Sequence, residues 1–180
     1  MIALSLRSVP PASREEIDFL QAIGNSPSDG DQVSYTKHER STRMTRIYVT
    51  HCSSKKDDRY KGTGVAVTPD LLYTGRAKGF MKRCKEKGVC WAIFSDKYGV
   101  WFPDARREWY DKHPSEVTPA EFATLLRDFD EGLADYSEIY FYANHNNARR
   151  FPPSGLYARL LNQTALRDRI KRITHFDEIT

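Results

Sequence analysis

The residues with the most chemical capacity lie in three short polar stretches, each following an apolar run. The first is His51-Cys52-Ser53-Ser54-Lys55-Lys56, after Ile47-Tyr48-Val49-Thr50. The second is Ser95-Asp96-Lys97-Tyr98, after Val89-Cys90-Trp91-Ala92-Ile93-Phe94. The third is Asn144-His145-Asn146-Asn147, after Ile139-Tyr140-Phe141-Tyr142-Ala143. Ser53, Ser95 and Asn144 offer hydroxyl and amide groups that hydrogen-bond a base or a sugar. Lys55, Lys56 and Lys97 can neutralise phosphate. Tyr98 and Trp101, with Trp109 and Tyr110, can stack on a flat ring. Asp96 or Asp111 can take a proton as general base or polarise a bound water. Cys52 has two readings. Its thiol, beside His51, Lys55 and Lys56, could be activated as a nucleophile, or it is a small buried residue at a strand end. Neighbouring residues on a strand point to opposite faces, so His145 is better placed than His51 as a partner for Cys52.

Bringing these stretches together requires parallel strands. The β-branched run predicts a strand over 45–51. Ala77, Phe80, Met81 and Cys84 recur at helical spacing and predict a helix over 75–87, with Gly88 as its C-cap. A near-continuous apolar strand over 89–94 follows, as expected where both faces are covered, which makes Cys84 and Cys90 core thiols. Strand, helix, strand gives a right-handed βαβ unit and puts both polar loops at one sheet edge, where open α/β sheets bind ligands. Thr118-Pro119-Ala120-Glu121 combines an N-cap, a first-position proline and a capping-box glutamate. The helix it starts has a core stripe of Phe122, Leu125, Leu126, Phe129 and Leu133. A third strand over 138–143 follows, then a short helix carrying Leu156, Leu160 and Leu161. The tail, 164–173, reads as basic and helical, capped by Thr164. The fold class is therefore α/β. A single three-layer domain over 44–180 has a largely parallel central sheet and helices on both faces, and 1–43 forms an N-terminal extension of one short helix and a polar linker. Within the loop 52–70, Gly62-Thr63-Gly64 reads as a turn or as a backbone cradle for phosphate, without a surrounding Walker pattern. The basic face of the 75–87 helix reads equally as a solvated surface or a phosphate track.

Composition sets the bounds. The 180 residues suit one domain with an appendage; 39% are hydrophobic and 29% charged. No apolar run approaches a membrane span, and the N-terminus lacks a signal-peptide pattern. The reading is a cytoplasmic protein without a membrane partner. Three cysteines without C-x-x-C spacing argue for neither a disulfide framework nor a zinc site, and no metal or cofactor is expected. The net charge of +4 suits an anionic ligand or a nucleic acid.

An ordered series of motifs adds to this. Cys52-Ser53-Ser54-Lys55-Lys56, Asp70-Leu71-Leu72-Tyr73-Thr74-Gly75, Phe94-Ser95-Asp96-Lys97-Tyr98-Gly99-Val100 and Tyr110-Asp111 span about 45–147. The series resembles a widespread bacterial, archaeal and phage domain family of unassigned function, with C-S-x-x-K, L-Y-x-G, S-A-K-Y-G-L and P-Y-D motifs. It is distantly similar to the YaaA peroxide-stress family, implicated in DNA binding and protection. It is also similar to the lysine-transferring domain of archaeosine synthase, which works on a modified base of tRNA. Here Asp96, Val100 and Trp109 depart from the family pattern. The resemblance implies Cys52, Ser53, Lys55, Ser95, Lys97, Tyr98, Gly99, Tyr110 and Asp111 as site residues, although Tyr98-Gly99 also reads as a turn shaping the sheet edge. The expected function is binding of a nucleobase, nucleotide or nucleic acid by an enzyme-like domain acting on the base or its glycosidic bond. Lys55 and Lys97 would hold phosphate, Tyr98 would stack, and Asp111 or Asp96 would handle protons. One alternative is a noncatalytic DNA- or RNA-binding module. Another is amino-group transfer to a modified base, using Cys52.

Overall fold

The structure, a computed structural model, describes residues 46–143 and 155–180. The expected extension over 1–43 and the stretch beginning Asn144-His145 lie outside the described residues. The elements in chain order are β1 (Arg46–His51), α1 (Pro69–Leu72), α2 (Gly75–Lys87), β2 (Trp91–Ser95), β3 (Gly99–Trp101), α3 (Pro119–Gly132), β4 (Glu138–Tyr142), α4 (Leu156–Gln163) and β5 (Ile170–Ile173). The strands form one sheet in the order β3-β2-β1-β4-β5. β1, β2, β4 and β5 run parallel, and β3 pairs antiparallel with β2. This is the expected α/β architecture.

Register explains which side chain meets which helix. Thr50 aligns with Ile93 and with Tyr142, so these three share a face. On that face Phe80 of α2 stacks on Tyr142 with ring centroids 5.8 Å apart. Phe94 points the other way and meets Phe129 of α3 at 5.5 Å and Tyr157 of α4 at 6.3 Å. The sheet is therefore covered on both faces, and the middle of β1 and all of β2 are buried. The α2 stripe of Ala77, Phe80, Met81 and Cys84 is buried as its spacing requires, and Gly88 ends the helix at φ +63°. α3 carries the expected capping box between Thr118 and Glu121. No helix among the described residues is long and apolar enough to cross a membrane.

Two expectations change. The tail is not a continuous helix. Arg167–Arg169 form one 3-10 turn, and Ile170–Ile173 form the edge strand β5. Ile170 and Ile173 stand three apart, which mimics a helical stripe. An edge strand open to solvent on one side needs little more than these, while Lys171 pairs outward with Glu138 at 2.5 Å. Thr164 accordingly caps the end of α4, and its hydroxyl bonds Asp130. Cys90 is exposed, because β2 begins only at Trp91. The stretch after Ser95 is a tight turn into β3, as the turn reading of Tyr98-Gly99 has it. Ser95 Oγ accepts the backbone N–H of Lys97 and of Tyr98, both at 3.1 Å, and Gly99 takes φ +71°.

Candidate functional site

β1 and β4 are parallel neighbours, but the helices that follow them lie on opposite faces of the sheet. Divergence of this kind opens a crevice beyond the strands' carboxyl ends. A cleft of about 710 Å³ sits there, within the range that small-molecule sites occupy. The end of β1 contributes His51, Cys52, Ser53, Ser54 and Lys56, and the end of β2 contributes Asp96. The segment before α3 contributes Lys112, His113 and Ser115, and α4 contributes Tyr157 and Arg159.

Asp96 forms the floor. It is 2% exposed, and among the described residues its Oδ1 accepts no hydrogen bond. Burial raises its pKa above the ordinary carboxylate value, opposed by the polar hydrogens of Tyr110 and Cys52 and by the charge of Lys56. Cys52 lies beside Asp96. The Cys52 amide donates to Phe94 O at 2.8 Å, extending the β1–β2 ladder, and its Sγ lies 3.2 Å from the Tyr157 hydroxyl. Burial, and then the charge of Asp96, push the thiol up to about 11. At neutral pH it is a protonated thiol that can hydrogen-bond, rather than an activated thiolate.

Behind these two lies a buried hydroxyl cluster. Ser95 Oγ donates to Tyr110 OH at 2.8 Å, and Tyr110 OH lies 2.8 Å from Tyr73 OH. Burial raises the pKa of both tyrosines, so they remain neutral phenols. Ser95 thus ties the β2 turn to the cluster that backs Asp96. His51 donates from Nδ1 to the Cys52 carbonyl at 2.8 Å, a bond in which only the ring can be the donor. Its ring packs on Tyr157 at 4.8 Å.

The rim is cationic. Lys56 Nζ sits 4.1 Å from the centre of the Tyr110 ring. Lys112 pairs with Glu121 at 2.5 Å, so the capping box of α3 also positions a cleft residue. Arg159 lies over Phe122 at 4.2 Å. Among the described residues, no three His, Cys or carboxylate side chains cluster at metal-ligand spacing.

The sequence candidates divide accordingly. Cys52, Ser53 and Asp96 line the cleft. Ser95 and Tyr110 stand behind it, buried and hydrogen-bonded. Lys55, Lys97 and Asp111 are exposed and outside the cleft lining. Tyr98 meets Trp101 and Tyr110 edge-on, at 5.6 and 5.2 Å, and its hydroxyl donates to Glu108 O. Gly99 serves the β2–β3 turn against α3, where a Cβ would overlap the Asp128 carboxylate. Trp101 cannot stack on a ligand. It is 1% exposed and its Nε1 donates to Ala105 O at 2.8 Å. Asn144 and His145 lie outside the described residues. The sequence did not single out Lys112, His113, Tyr157 or Arg159. Tyr157 and Arg159 are embedded in the apolar pattern of α4, which reads as core. Lys112 and His113 sit in a mixed loop with no period.

Comparison with protein-family models, with curated proteins and with solved structures finds no match for this chain.

Proposed function

We propose that the protein binds a nucleotide in this cleft, with the base against Asp96 and the phosphate at the rim, and acts on the base or its glycosidic bond. The observation that carries this reading is the buried Asp96 carboxyl, one oxygen of which has no hydrogen-bond partner among the described residues, in the lining of a cleft that Lys56, Lys112 and Arg159 also line. A carboxylate presents acceptor oxygens, and a free acceptor complements the amino and ring N–H donors on the edges of nucleobases. The same group, with its pKa raised, can give a proton to a departing base nitrogen or take one from water. Lys56 and Arg159, outside ion pairs among the described residues, supply charge for phosphate at the mouth, and Lys112, paired with Glu121, can donate hydrogen bonds to it. The ordered motifs around Cys52, Ser95 and Tyr110 support the same reading by resemblance. Amino-group transfer through Cys52 fits less well, because the thiol remains protonated. A noncatalytic module using α2 rests on exposed Arg76, Lys78 and Lys87, whereas Lys82 and Lys85 are engaged by Glu86 and Asp70.

Chemical-shift mapping with a base, a nucleoside and a nucleoside monophosphate tests the reading. The expected shifts centre on Ser53, Asp96 and Lys112, and the monophosphate binds more tightly than the nucleoside. Asp96→Asn should weaken binding about ten-fold, the worth of one good hydrogen bond. Shifts confined to α2, or affinity indifferent to Asp96→Asn, would count against it.

A further inference from the structure

Beside the cleft stands a group of cations of which the nucleotide reading uses only Lys56. Lys61 Nζ lies 5.0 Å from the centre of the Trp109 ring, and Lys56 Nζ lies 5.8 Å from the same ring. Lys56 also covers Tyr110 at 4.1 Å, and Lys97 covers Tyr110 at 5.7 Å. Lys97 covers Tyr98 at 5.0 Å, and the Arg107 guanidinium covers Tyr98 at 5.6 Å. Shared rings therefore connect the four cations one to the next, in the order Lys61, Lys56, Lys97, Arg107. Among the described residues none of the four makes an ion pair. Glu108 and Asp111, exposed in the same segment, pair with none of them.

The backbone holds this row in place. Lys56 bridges to Tyr73, and Arg107 bridges to Val67 through two N–H···O bonds of 2.9 Å. Ring faces attract the cations and fix their positions without cancelling their charge. Like charges kept close and unneutralised favour a ligand with charges repeating along its length. Lys56 belongs both to the row and to the cleft lining, so the row passes the cleft mouth.

We infer that the row is a phosphate track for a single strand of nucleic acid, one of whose bases enters the cleft; this rests on the nucleotide reading proposed above. A base can reach a cleft only when it is out of the stack, which favours a single strand over a duplex. The rings are already covered by cations, so the track reads the backbone and discriminates little between sequences.

Fluorescence anisotropy with a short labelled DNA oligonucleotide of mixed sequence, as single strand and as duplex, tests the inference. Four phosphate contacts predict a slope of log affinity against log salt of about −3 for the single strand. Raising salt from about 50 to about 200 mM then weakens binding about 50-fold. Lys61→Ala and Arg107→Ala, exposed at the two ends of the row, should each weaken oligonucleotide binding about three- to ten-fold. Each should also reduce the slope by about 0.7, leaving affinity for a nucleoside monophosphate unchanged. Oligonucleotide binding indifferent to both variants overturns the inference. So does a loss produced by Arg76→Ala and Lys78→Ala on α2 instead, tighter binding of the duplex, or equal displacement by inorganic polyphosphate of matched charge. The two claims separate cleanly. Monophosphate binding that responds to Asp96→Asn, beside oligonucleotide binding that ignores the row, sinks the track alone. Monophosphate binding indifferent to Asp96→Asn sinks the nucleotide reading, and the inference with it.

Discussion

A carboxyl group taken out of water without a full set of hydrogen bonds destabilises the fold that holds it, and Asp96 is in that position. Its folded pKa is raised above the ordinary 3.8, chiefly by burial. Between 3.8 and that raised value the folded protein keeps a proton that the unfolded chain releases. Stability from this group therefore falls as pH rises through that window and is restored on acidification. Asp96→Asn removes the charge, so the variant should be more stable than the parent at neutral pH by about 1–3 kcal/mol. The gap should narrow as pH falls towards 3.8. Urea melts across this range check both points, and a variant less stable than the parent at neutral pH contradicts them. The thiols give a second residue-scale outcome. Burial pushes Cys52 up to about 11 and Cys84 up to about 12, while Cys90 is exposed. Iodoacetamide should label Cys90 in the native protein and spare the other two; peptide mapping that finds Cys52 labelled as fast as Cys90 refutes this. The sequence marked Cys52 and Asp96 as site candidates because each stands where an apolar strand gives way to polar residues. Tyr157, equally close to the chemistry, was invisible, because its neighbours Leu156 and Leu160 are core residues with the same helical spacing.

At the scale of elements, the turn from β2 into β3 is the most constrained joint near the site. Gly99 combines φ +71° with an Asp128 carboxylate that occupies the place a Cβ would take, and that carboxylate accepts the Val100 N–H at 2.6 Å. Gly99→Ala should cost at least about 2 kcal/mol and loosen the turn that carries Asp96. Thermal melts measure the loss; a variant within about 0.5 kcal/mol of the parent would show that the turn tolerates a side chain. Local signals identified most elements. α2 has a four-residue stripe and a terminal glycine, and α3 has a cap, a proline and a box glutamate. β3 and β5 escaped because short edge strands bury too few residues to show a period. β3 has three residues, and β5 buries Ile173 while leaving Lys171 and Arg172 outside.

At the scale of the described domain, topology determines where chemistry can occur. The order β3-β2-β1-β4-β5 sets β1 between β2 and β4, all parallel, so the ends of β1 and β2 share an edge with the end of β4. The sequence pointed to that edge through three polar strand termini, the third of which lies outside the described residues. It could not show that Lys112 and Arg159 close the rim, since each arrives from a distant segment through packing on α3. A cleft with a carboxylate floor and a cationic mouth has a polarity, and a bound nucleotide must respect it. The most direct measurement is a crystal structure of the protein soaked with a nucleoside monophosphate. The account predicts density in the cleft with a base edge within hydrogen-bonding distance of Asp96 Oδ1 and the phosphate among Lys56, Lys112 and Arg159. A nucleotide bound elsewhere, or one lying the other way round with its phosphate against Asp96, would contradict it.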